Sequence, residues 1–214
     1  MQTDMTVGKP MKMILDFTIP VFIGNVFQQF YNMADAIIVG KFVGTKGLAA
    51  VGATGTIMFL IIGFLMGLTA GFTVLTSQKF GAGKMDEMRQ SVGNAALLSV
   101  AISVIMTVGS MVGMRALLTL MHTPEDIFQD SYTYIMIICG GIFAQVLYNI
   151  LASILRALGN SKTPLYFLIL AALLNVALDL LFIIVFHMGV AGAAWATITA
   201  QGVSGLLCLV YIIK

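Results

Sequence analysis

The sequence has 214 residues, 59% of them hydrophobic and 9% charged, with a formal net charge of +2 and a mean hydropathy of +1.01. A soluble domain carries about 25% charged residues, so this chain lacks the polar surface a water-facing globule needs and reads as an integral membrane protein whose solvent is the lipid bilayer. A balance of +2 gives no reason to expect a nucleic-acid partner, and the basic residues read as topology markers.

A helix needs about 20 apolar residues to cross roughly 30 Å of hydrocarbon. Six runs qualify, at about 13–40, 48–77, 92–114, 131–155, 165–186 and 190–213. A β-barrel would show alternating segments of about ten residues instead. The expected fold is therefore an all-α membrane protein, a bundle of six transmembrane helices filling a single domain over 1–214.

The first run follows Lys9 and Lys12, as a secretory signal would, but it is too long, contains Asp35 and lacks a small-residue cleavage site, so it reads as a retained span. Pro20 interrupts it, removing one backbone hydrogen bond and permitting a bend ahead of Asp35. Gln28, Tyr31, Asn32 and Asp35 follow at steps of three, one and three, on one side of the helix. The second run carries Gly63, Gly67 and Gly71, and the third Gly109 and Gly113. This four-residue repeat predicts seams where helix backbones approach closely. The intervening GAGK at 81–84 is no P-loop, because Met85 stands where serine or threonine is required. Cys139 and Cys208 fall inside spans with no metal-ligand spacing and read as packing residues. The sequence ends at Lys214, directly after the sixth run.

Short cytoplasmic loops hold an excess of lysine and arginine. With the N-terminus inside, Lys9, Lys12, Lys79, Lys84, Arg89, Arg156, Lys162 and Lys214 are cytoplasmic, and Lys41, Lys46 and Arg115 external. Eight against three sets the orientation of a multi-pass protein of the plasma membrane.

The acids decide the functional reading. Asp4, Asp16, Asp86, Glu87, Glu125, Asp126 and Asp130 lie in loops or near span ends, leaving Asp35 and Asp179 inside the membrane. A carboxylate at the bilayer centre costs about 2.5 to 3.5 kcal/mol on insertion scales, so such groups line a cavity or pathway by default. With 1.5 Å of rise per residue, both acids fall within about 12 Å of the outer ends of their helices, close enough in depth to face each other. Asn175 shares a helix face with Asp179, and the Thr197 hydroxyl reaches the same level, with Thr199 a weaker rival. Two carboxylates, an amide and a hydroxyl are hard oxygen ligands suited to a proton or a small alkali cation such as sodium, not to zinc or copper.

These residues sit in stretches that resemble one family. IPVFIGNVFQQFYNMADAIIVG, the GAGK turn, LRALGNSKTP, LLNVALD and GVAGAAWAT, in that order and spacing, look like the N-terminal half of a multidrug and toxic compound extrusion (MATE) transporter. The resemblance covers nearly the whole chain. It implies one lobe of a twelve-helix, two-lobed antiporter that exchanges organic, mainly cationic, compounds for protons or sodium. It places the coupling cation at Asp35, Asn175, Asp179 and Thr197, a bending proline at Pro20, and cavity-lining residues at Gln28, Tyr31 and Asn149. The missing lobe would come from a C-terminal half or a second copy. No cofactor is implied beyond the coupling ion.

Other readings fit these residues less well. An intramembrane aspartyl protease also uses two aspartates, but Asp179 sits in VALDLL without the glycine-rich context expected there. His122 and His187 lie at span edges with no partnered nucleophile, so no hydrolase triad is suggested. A lipid-linked oligosaccharide flippase would favour basic groups for pyrophosphate, whereas the buried charges expected from the sequence are acidic.

Overall fold

A computed structural model describes residues 10–213; Asp4, Lys9 and Lys214 lie outside the described residues. The described residues form seven α-helices and two π-helical turns with no strands among them. In chain order these are α1 (Pro10–Ile38), a π turn at Val39–Val43, α2 (Thr45–Gly81), α3 (Met85–Leu120), α4 (Glu125–Gly140), α5 (Ile142–Ala157), α6 (Lys162–Asp179), a second π turn at Leu180–Val185, and α7 (Gly189–Ile213).

Five of these helical stretches are long and apolar enough to span a membrane, and α4 with α5 makes a sixth, bent by 48°. The span expected over 131–155 consists of two helices meeting at Gly140 and Gly141. Two adjacent glycines are the cause: neither contributes a side chain to hold the turn, and both weaken a helix interior. Helix α3 overruns its predicted 92–114 by several residues at each end, because hydropathy marks the edge of the apolar stretch and not the end of the hydrogen-bonded helix. Asp86 and Glu87 suit its first turn, where the helix dipole favours acids. The turn before it, containing Gly83 at φ 71°, is held by ion pairs from Lys79 and Lys84 to Glu87.

The spans alternate direction, with α4 and α5 counted as one, giving the bundle two ends. The proximal end holds the start of α1 and the α2–α3 and α5–α6 turns; the distal end holds the α1–α2, α3–α4 and α6–α7 turns. Lys12, Lys79, Lys84, Arg89, Arg156 and Lys162 gather proximally, and Lys41, Lys46 and Arg115 distally.

Packing is organised around α7, which lies against α4, α5 and α6, while α1 leans on α6, and α2 on α3, α4 and α5. Helices α1 and α2 scarcely touch beyond their connecting turn, which leaves a space between them. One apolar cluster joins Ile38 and Val39 to Tyr134, Ile183 and the start of α7; a second joins Ile57 and Leu65 to Met114, Leu118, Cys139 and Ile142; a third joins Ala95 to α5 and Cys208. Both cysteines are buried packing residues. Large apolar side chains including Phe22, Phe59, Leu97 and Val112 cover the exterior, the surface a lipid solvent requires.

The predicted glycine seams are overturned. A Cβ at Gly63, Gly67, Gly71, Gly109 or Gly113 would meet no atom within 4 Å, so none of the five sits at a close helix contact, and Gly63 opens onto the space beside α1. The close approaches occur elsewhere: a Cβ on Gly141 would stand 2.1 Å from Ile198 Cγ2 on α7, and one on Gly205 3.2 Å from the Tyr148 backbone nitrogen on α5.

Candidate functional site

Both acid-bearing helices change geometry just beyond their acids. The π turn at Val39–Val43 begins four residues after Asp35, the one at Leu180–Val185 begins immediately after Asp179, and the two turns touch at the distal end. A π turn widens the helix locally and recurs at functional sites. Neither was legible in the sequences VGKFV and LLFIIV.

The structure brings Asp35 of α1 and Asp179 of α6 together as neighbouring acids. Asp179 is fully buried, and one oxygen of each carboxyl, Oδ1, has no hydrogen-bond partner among the described residues. Asn175, also fully buried, lies one helical turn before Asp179. In the amide orientation that pairs both ends of the group, its nitrogen donates to Asp179 Oδ2 (3.0 Å) and its oxygen accepts from the Thr197 backbone N–H (3.2 Å). The Tyr31 hydroxyl donates to Thr197 Oγ1 at 3.3 Å. Helices α1, α6 and α7 are thereby joined by one polar chain through Tyr31, Thr197, Asn175 and Asp179. Thr199 lies on an exposed face of α7, away from these groups.

Buried polar atoms nearly always have partners, so an unpartnered oxygen on each of two neighbouring acids marks a place for something to bind. The donor set consists of carboxylate, amide and hydroxyl groups, with no thiol or imidazole. Such a set takes a proton between the acids, or a small hard cation with the oxygens as ligands.

The pair adjoins the space between α1 and α2, a chamber of about 600 Å³. Clefts for drug-sized ligands run from about 300 to 1,000 Å³. Of the sequence-predicted residues, Gln28, Tyr31, Asn149, Asp35 and Thr197 line it, while Asn175 and Asp179 stand behind its wall. Pro20 is buried inside α1, which runs through it without ending, and lines a second, smaller space of about 70 Å³ on the proximal side.

Sequence reasoning missed several lining residues: Asn25, Tyr134, Gln145 and Gln201. Two of them were within reach. Gln145 precedes Asn149, and Gln201 follows Thr197, by four residues, the same spacing that paired Asn175 with Asp179. The expectation that all buried charge is acidic is also corrected, because Arg156, read from the sequence only as a topology marker, is half-buried and lines the smaller space.

The MatE family model matches residues 20–181. A protein of Bacillus subtilis (strain 168) named "Probable multidrug resistance protein YpnP" is 35% identical over 211 residues, covering 99% of this chain and 47% of that one. The chain thus spans about half the length of the curated relatives it matches. Among solved structures, the "Outward-facing conformation of a multidrug resistance MATE family transporter of the MOP superfamily" superposes with a TM-score of 0.91 at 29% identity, over 96% of this chain and 45% of that one. A MOP superfamily transporter from Pyrococcus furiosus, described as having a binding pocket of reverse polarity that suggests a different function, gives the same TM-score, identity and coverage. On a family match over most of its length and a fold equivalent to one lobe of these proteins, this chain belongs to the MATE family, whose members are membrane transporters and not enzymes.

Proposed function

We propose that this chain forms one lobe of a cation-coupled antiporter that exports organic, mainly cationic, compounds, with a proton or a sodium ion as the driving species. The observation that carries the reading is the facing pair Asp35 and Asp179, each with an orphaned oxygen, at the wall of a drug-sized chamber. An organic cation in the chamber and a small cation at the pair satisfy the same negative charge, so each weakens the other's binding. That competition is the coupling an antiporter needs.

In this reading Asp35 and Asp179 hold the coupling cation, Asn175 and Thr197 orient and complete the site, and Gln28, Tyr31 and Asn149 contact the cargo. Pro20 supplies the point at which α1 bends between states. A second lobe, from further chain or a second copy, closes the open side between α1 and α2. The protein sits in the plasma membrane with the proximal end, where most of the basic residues gather, in the cytoplasm. A lipid-linked oligosaccharide is the poorer cargo, since a pyrophosphate in the wide chamber would meet Asp35.

Inside-out membrane vesicles from cells expressing the protein provide the test. In such vesicles the lumen corresponds to the cell exterior, so making it acid or sodium-rich should load the cationic dye rhodamine 123 from the bath, and an ionophore that collapses the gradient should abolish loading. Loading that ignores both gradients would contradict the reading.

A further inference from the structure

Helix α3 has 36 residues, about 54 Å of rise, against about 40 to 45 Å for a bilayer with its head groups. Its charged residues stand only at its two ends: Asp86, Glu87 and Arg89 proximally, Arg115 distally. The two arginines are 26 residues, or about 39 Å, apart along the helix axis. With Arg89 at one head-group layer, Arg115 therefore lies at the other.

Three cations stand at the distal end. Lys41 lies over the Phe42 ring, 5.7 Å from its centroid, and Lys46 pairs with Asp126 at 3.8 Å. Arg115 has no ion pair among the described residues. It opens instead onto a groove of about 650 Å³ lined by Val112, Arg115, Ala116, Thr119, Leu120 and His122, with no acid among them. The Thr119 hydroxyl donates to the Arg115 carbonyl oxygen at 2.9 Å, which leaves the guanidinium and the imidazole as the groove's free polar groups. His122 closes α3 in the left-handed conformation, at φ 54°, and its ring lines the groove two turns beyond Arg115. Met114 and Leu118 are buried in the cluster with Ile57 and Ile135, so the backbone that carries Arg115 is fixed against the bundle.

The rest of the groove is apolar and faces lipid: Val112 is 82% exposed and Leu120 78%. A guanidinium at head-group depth meets phosphate, which it can hold with two parallel hydrogen bonds. A zwitterionic head group brings its own cation to that phosphate, and an anionic one does not. The unpaired charge of Arg115 is thus the complement of an anionic head group, and the apolar strip below it is the complement of an acyl chain.

We propose that this groove is a binding site for an anionic phospholipid of the distal leaflet. Arg115 holds the phosphate with His122 beside it, and an acyl chain lies along Val112 and Val108. The inference does not rest on the transport reading above, and it holds whichever end of the bundle faces the cytoplasm.

A tryptophan placed under the groove reads this site alone. Val108 lies seven residues, about 10 Å, before Arg115 on the same face of α3, and is 57% exposed. The sequence has one tryptophan, Trp195, so Val108→Trp in a Trp195→Phe background makes the reporter the sole indole. In bilayers mixing a brominated with an unbrominated lipid, quenching of that indole reports which lipid occupies the site. Dibrominated phosphatidylglycerol should occupy it roughly fivefold more readily than dibrominated phosphatidylcholine, the scale of one basic residue beside anionic lipid. Arg115→Gln should bring that ratio to one, and Arg115→Lys, which keeps the charge but not the fork, should retain part of it. Equal quenching by the two lipids in the reporter protein overturns the inference, as does a preference that survives Arg115→Gln. Millimolar inorganic phosphate should leave the ratio unchanged; displacement of the lipid would assign the groove to the free ion and overturn the lipid site. Native mass spectrometry of the unaltered protein and of Arg115→Gln, each from micelles containing both unbrominated lipids, gives a second reading that needs no tryptophan. A retained phosphatidylglycerol should be present on the first and lost from the second, and equal retention by both contradicts the site.

Discussion

Asp179→Asn should abolish ion-coupled efflux while leaving insertion and folding intact. The replacement has nearly the same shape, and its amide still reaches the Asn175 side chain that now contacts Asp179 Oδ2 at 3.0 Å. What it removes is the capacity to hold a proton or a hard cation in concert with Asp35. Because Asp179 is fully buried, no water stands ready to replace it. A neutral amide also relieves the insertion cost of an ionisable group, so the protein level in the membrane should equal or exceed wild type. Drug export measured in cells should drop to the level of cells lacking the protein. Full efflux by the variant would remove Asp179 from the mechanism.

Gly141→Ala should give the largest stability loss from a single added methyl group. The new Cβ would lie 2.1 Å from Ile198 Cγ2 and 2.7 Å from Ile198 Cβ, and a branched carbon next to the α7 backbone cannot swing aside as the tip of a long side chain would. Overpacking of this kind costs about 1 to 3 kcal/mol. Gly67→Ala is the matched control: its Cβ would meet nothing within 4 Å, and alanine is the better helix former by about 1 kcal/mol. Thermal unfolding in detergent should show a lowered midpoint for Gly141→Ala and an unchanged or raised one for Gly67→Ala. The reverse order would mean that α5 and α7 do not meet as described.

These two sites also mark how far the sequence could be read. Asp35 and Asp179 stood out because an acid inside an apolar run is costly, and that cost is a property of composition. Asn175 followed from helical spacing. Their mutual approach depended only on depth along antiparallel helices, which a rise of 1.5 Å per residue provides. By contrast, Gly63, Gly67 and Gly71 have the spacing of a packing seam, yet that spacing cannot say which side of a helix faces its neighbours. In α2 these three glycines open onto space, with no neighbouring helix atom within 4 Å of a Cβ built there.

Local backbone departures were the least legible. The bend at Gly140 and Gly141 had a sequence signal in its paired glycines, overlooked because the apolar run continues through it. The π turns had none, since Val, Leu, Ile and Phe fit either helical winding equally well. Arg156 was misassigned for a different reason. A positive residue at a span end has two uses, orienting the protein and lining a cavity, and only the placing of Arg156 beside Pro20 of α1 and Pro164 of α6 around one space distinguishes them.

The central claim is that an organic cation and the coupling cation compete for the negative charge of the Asp35 and Asp179 pair. Equilibrium binding of rhodamine 123 to the purified protein, measured at about pH 8 and about pH 5, addresses it directly, because a protonated carboxyl loses its attraction for a cation. Binding should be weaker at the lower pH in the wild-type protein, and the pH dependence should largely vanish in Asp179→Asn. Dye affinity that changes with neither pH nor sodium concentration in the wild type, or a dependence that survives intact in Asp179→Asn, would contradict it.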